Sequence, residues 1–198
     1  MEKIRESELM IQEQNLVEVI GIINAKKYSV PKSDKYEVIV VDNDGVKRIK
    51  RIENYVLNPH KTSNPCSIYF IKAMPQKGSW GGNIQYPEER VLGEDPTVIN
   101  LRLWFSFSVI RGDRFISLLD GKSDIYTTRY VLGKLRSKMG FCVKQTVLKY
   151  IKQHNVSDFL CNFTNVEEEL MSKINETIMY EYGITIDNLS LEAEKANI

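Results

Sequence analysis

The chain has 198 residues, 42% hydrophobic and 27% charged, values that allow a packed core and exclude wholesale disorder. Lys and Arg total 27 against 26 Asp and Glu, so the charge balance selects no strongly charged partner and makes nucleic acid an unlikely one. No window approaches the roughly 20 apolar residues of a spanning helix, the first ten residues are too charged for a signal peptide, and three widely spaced cysteines fit a reducing, cytoplasmic compartment.

The first half reads as strands. Leu16–Ile23 and Tyr36–Asp42 are rich in Val and Ile, and Asp42–Gly45, "DNDG", predicts a hairpin turn into "VKRIKRI". Cys66–Ala73 is a further strand that runs into "GSWGG", Gly78–Gly82, read as a glycine-rich loop around Trp80. Val98–Ile110 alternates strictly. Ile99, Leu101, Leu103, Phe105, Phe107 and Val109 fall on one face, with Asn100, Arg102, Trp104, Ser106 and Ser108 on the other, the signature of a half-buried antiparallel strand.

The second half changes period. "RGDRFISLLDG" predicts a short helix ending at Gly121. A long helix is expected from Asp124 to about His154, with Ile125, Leu132, Leu135, Met139 and Cys142 as its apolar stripe. A second helix is expected to start at Asn165, with Glu168 placed for a capping box. Val166, Leu170, Ile174, Ile178 and Tyr182 step by four along it, Gly183 stops it, and Ile184–Leu191 forms a last strand. The predicted fold class is α+β: a mostly antiparallel N-terminal sheet, then a short helix, a long helix, a second helix and a final short strand. One domain is expected, β-rich over 1–110 and helical with the closing strand over 111–198.

This order resembles the SPFH or band 7 domain (stomatin, prohibitin, flotillin, HflK/C). "YEYGITIDNLSL" resembles the family's ending, in which a helix closes on Tyr-Gly before a short strand. "NLRLWFSFSVIRGDRFISLLDG" is similar to its long strand, polar turn and short helix, and "SIYFIKAMPQKGSWGG" to a strand and Lys-Trp-Gly loop of a soluble bacterial, virion-core-like branch. The resemblance covers the chain from about Leu9 to Leu191. It implies a non-enzymatic scaffold that forms rings or filaments of identical subunits and organises partners, at the periphery of a membrane.

No catalytic, cofactor or metal constellation stands out. Cys142 and His154 lie twelve positions apart in the expected long helix, roughly 18 Å at 1.5 Å per residue. His60 and Cys66 could meet across a loop but have no third residue to orient them. Paired Cys or His at zinc spacing, and a phosphate loop, are absent from the sequence. "RGD", Arg111–Asp113, is read as a turn. The alternative function is a small-ligand-binding or catalytic domain using the loop around Trp80, which either packs on the sheet or faces a ligand.

The candidate surfaces are electrostatic. Lys47, Arg48, Lys50 and Arg51 form a basic cluster, read either as a charged edge strand or as a contact for anionic lipid. From Ile125 to Ser157 the chain carries Lys and Arg, including Lys144 and Lys149, but no Asp or Glu. Beyond Asp158 the balance reverses, with Glu167, Glu168 and Glu169 at its head. Either the two helices neutralise each other within one molecule, or the basic surface meets an acidic neighbour, a second copy or an anionic membrane.

Overall fold

The computed structural model describes residues 2–3, 15–22, 28–30, 35–42, 45–49, 55–57, 66–87 and 96–196. The fold is α+β. By its contacts the chain forms two compact units: Met1–Pro75 with Ser108–Gly133 and Glu181–Ile184, and Gln76–Phe107 with Lys134–Tyr180 and Thr185–Ile198. The units interleave along the chain.

In the first unit, β2 (Asn15–Ile22), β4 (Tyr36–Asp42), β5 (Gly45–Ile49), β7 (Cys66–Lys72) and β10 (Ile125–Thr127) make one sheet in the order β10-β2-β7-β4-β5, every neighbouring pair antiparallel. The expected hairpin is β4–β5, in register from Val38 opposite Ile49 to Asp42 opposite Gly45, whose φ of 111° only glycine adopts readily. Glu37, Val38, Ile39 and Val40 are consecutive and all buried, so both faces of β4 are covered. Short strands β1 (Glu2–Lys3), β3 (Tyr28–Val30) and β6 (Tyr55–Leu57) form a separate small sheet in the order β1-β3-β6.

Helix α1 (Gly112–Phe115), prolonged by a 3-10 turn over Ile116–Leu118, is the predicted short helix. A Cβ at Gly112 would lie 2.9 Å from Ile39 Cγ1 and from Ile71 Cδ1, so only glycine lets the helix start this close to the sheet. The Gly112 N–H donates to the buried Glu37 carboxylate at 3.2 Å, which satisfies a donor that the helix itself cannot. Gly183, with φ of 64°, gives its carbonyl to the N–H groups of both Ile110 and Arg111, and a Cβ there would overlap the Arg111 backbone.

In the second unit, β8 (Gln76–Tyr86), β9 (Thr97–Val109) and β11 (Ile184–Lys195) form a sheet in the order β11-β9-β8. The alternation of β9 holds: Ile99, Leu101, Leu103, Phe105 and Phe107 are buried and Arg102 and Trp104 exposed. The glycine-rich loop does not exist as expected. Residues 76–86 form an 11-residue strand, antiparallel to β9 from Gln76 opposite Phe107 to Tyr86 opposite Thr97. Glycine disfavours a strand locally, but here the long apolar partner strand supplies the ladder and overrides the preference.

The long helix α2 (Thr128–His154) begins later than expected, because Ile125–Thr127 pairs with β2 as β10. Ile125 is exposed and Leu132 half-buried, so neither extends the stripe as read. Leu135, Met139 and Cys142 are buried as expected, and Val143, Thr146, Val147 and Ile151 join them. Asn155, at φ of 89°, breaks the helix and caps α3 (Val156–Cys161) by accepting from the Asp158 N–H at 3.0 Å. Helix α4 (Thr164–Tyr182) buries Val166, Leu170, Ile174 and Ile178. Its start at Thr164 puts Asn165 inside the helix, so the expected capping box is not formed.

Candidate functional site

The stretch singled out around Trp80 is a packed assembly within the second unit. Trp80 stands on the same face of the sheet as the buried row of β9, opposite Leu103. Its indole N–H donates to the Arg136 carbonyl of α2 at 3.2 Å, and the Arg136 guanidinium returns a bond to the Gly81 carbonyl at 3.3 Å. Glycines make the room. A Cβ on Gly82 would lie 2.6 Å from the indole Cη2, and one on Gly140 of α2 would lie 3.2 Å from Cζ2. Gly78, Gly81 and Gly82 were expected to belong to a loop; Gly82 instead sits in a strand and clears space for a ring, together with Gly140 of the helix. Chain spacing offers no signal that Gly140 and Trp80 meet.

The charged candidates separate. Lys149 Nζ bonds Glu169 Oε1 at 2.7 Å, so these two residues are spent on each other within one chain. Glu167 Oε1 accepts from the Leu191 N–H at 2.7 Å, tying the start of α4 to β11. Glu168 and Lys144 are exposed. The backbone of Lys47 and Arg48 lies in β5, while Lys50, Arg51 and His60 lie outside the described residues.

Two exposed residues were not among the candidates named from the sequence. Phe141, on the outer side of α2, is 61% exposed and has Lys138 three residues before it and Lys144 three residues after. Spacings of three place all of them on one side of the helix. Trp104, on the outer face of β9, is 42% exposed. Both are large apolar side chains with polar residues on the same face of their element; the chain pattern alone does not give how far each stays exposed.

Other polar clusters are occupied by local structure. Arg111 folds back on Asp113 through bonds of 3.0 and 2.7 Å, so the "RGD" is a closed turn. Asp120 Oδ1 accepts from the Lys122 N–H at 3.2 Å and the Tyr126 hydroxyl at 3.1 Å, and the backbone bond above all holds its carboxyl below the ordinary range. Burial pushes the Glu18 carboxyl up. Cys142 Sγ lies 3.5 Å from Thr177 Oγ1, against α4, and His154 stands at the end of the continuous α2. Among the described residues, no cluster of His, Cys, Asp and Glu could hold a metal ion, and no helix is long and apolar enough to cross a membrane. No protein-family model matches this chain, and no match is found among curated proteins.

Proposed function

We propose that the chain is a non-enzymatic, SPFH-like scaffold domain that associates with further copies of itself and organises partners at the cytoplasmic face of a membrane. The observation that carries this reading is the outer side of α2, where Phe141 is held in solvent on a 27-residue helix with Lys138 and Lys144 beside it. Burying a phenylalanine side chain contributes about 1.5–3 kcal/mol, and the lysines favour an acidic counterpart. The exposed Glu168 of a second copy has that chemistry, and so does an anionic lipid surface. Contact between unlike surfaces is heterologous and propagates into rings or filaments. The internal Lys149–Glu169 pair takes Lys149 out of the contact.

The rival reading, a ligand or catalytic site around Trp80, finds little support, because the indole already lies against Gly82 and Gly140 with its N–H bonded.

The test is solution mass by light scattering at low salt and near 1 M salt, where the Debye length falls to about 3 Å. Association at low salt should weaken in Phe141→Ser and Lys144→Glu, and adding Glu168→Lys should restore it in the latter. Co-sedimentation with anionic and neutral vesicles separates the membrane arm. A monomer at every concentration that also ignores anionic vesicles would overturn the proposal.

A further inference from the structure

The outer face of the second unit's sheet has a centre. Trp104 of β9 lies directly opposite Ser79 of β8. On the other side, the Ala196 N–H donates to the Val98 carbonyl at 2.8 Å and the Asn188 amide donates to the Ser106 hydroxyl at 3.1 Å. Both bonds imply the same antiparallel register, which sets Ser190 level with Trp104 and Glu192 level with Arg102. The indole is therefore flanked on both neighbouring strands by serines, too short to cover it. With strands about 4.8 Å apart and same-face residues about 6.8 Å apart along a strand, this makes an open platform on the scale of one or two sugar rings.

We infer that Trp104 is the stacking platform of a binding site for a neutral oligosaccharide. A pyranose ring pairs an apolar C–H face with a rim of hydroxyls that both donate and accept. The platform matches that division. Its centre is the exposed part of the indole, and around it stand Ser79, Ser106, Ser190 and Asn188, whose hydroxyls and amides likewise donate and accept. The bond between Asn188 and Ser106 fixes both groups at the platform's edge. Charge selects among ligands: Lys77 and Arg102 on this face are offset by Glu192 and Glu194, so no net field is available to hold a phosphate backbone or an acidic peptide. The complement of a surface with balanced charge and many hydroxyls and amides is an uncharged, hydroxyl-rich ligand. All these groups sit on paired strands, so little ordering is needed on binding. The inference is independent of the scaffold reading, which concerns α2.

The experiment follows the two indole N–H signals of the full chain by NMR, assigned with Trp80→Phe and Trp104→Phe, during titration with cellohexaose, maltohexaose and chitohexaose. The Trp104 signal should shift saturably with at least one of them at an affinity of about 0.1–10 mM, as for a shallow single-stack site, while the Trp80 signal stays in place. Raising salt to ~0.5 M should leave binding unchanged. Trp104→Ala should weaken binding about tenfold or more, with Trp104→Tyr within about threefold of the parent; an unmoved Trp80 signal in both variants certifies the inner face. No saturable shift with any of the three sugars, or equal binding by Trp104→Ala, would overturn the inference. So would a Trp104 signal that moves with protein concentration alone, which would make this face a contact between copies.

Discussion

The two tryptophans stand on one strand pair, a single register step apart, and have opposite surroundings. Trp80 faces Leu103 on the inner side, bounded by Gly82 and Gly140 and bonded to Arg136. Trp104 faces Ser79 on the outer side and keeps 42% of its surface exposed. Residue type is the same, so the difference lies in the neighbours: glycines remove volume to admit one ring under a helix, and serines withhold volume and leave the other partly exposed. A side chain's role on a sheet is set by the face that its register assigns and by how far its cross-strand partners reach.

The comparison breaks first if the inner face is not a core. Phe105→Ala should lower unfolding free energy by about 3–5 kcal/mol in denaturant titration; a loss below ~1 kcal/mol would dissolve the distinction between faces. Next comes the room made for Trp80. Gly140→Leu should cost about 1–3 kcal/mol by overpacking and shift the Trp80 fluorescence. The control sharpens this: a Cβ at Gly133, on the same helix, would meet nothing within 4 Å. Gly133→Ala should therefore raise thermal stability by about 0.5–1 kcal/mol, the ordinary helix preference for alanine. The smallest effect belongs to the outer face, where Trp104→Ser should change stability by no more than about 0.5 kcal/mol, measured by the same denaturant titration. A large loss there would show that the exposed ring is structural.

Legibility followed the length of the periodic signal. The thirteen residues of β9 and the four-residue steps of α4 declare their buried faces without reference to anything else, and both were read correctly except at Tyr182, which is half-buried. Strand β8 was missed because its glycines resemble punctuation; what makes them strand residues is the partner across the ladder. The start of α2 was misplaced because Ile125–Thr127, already β-prone, is drawn into pairing with β2 more than a hundred residues earlier in the chain. The charge reversal between α2 and α4 was visible in the sequence, but the internal pairing of Lys149 with Glu169 depends on how the two helices lie side by side. The same holds for the candidate sites: Trp104 and Phe141 could be counted, but whether anything covered them could not.

The strand order β11-β9-β8 also has a consequence for biosynthesis. β9 is the middle strand, yet one of its neighbours, β11, is made long after it. From Val109 to Lys195, a span of 86 residues, synthesis at 5–20 residues per second takes about 4 to 17 s. For that interval β8 and β9 can pair, but the far edge of β9 presents unpaired backbone beside an apolar row, a template for unwanted strand addition. A nascent chain stalled before Ile184 would be held in that state until the twelve-residue strand that completes this sheet is made.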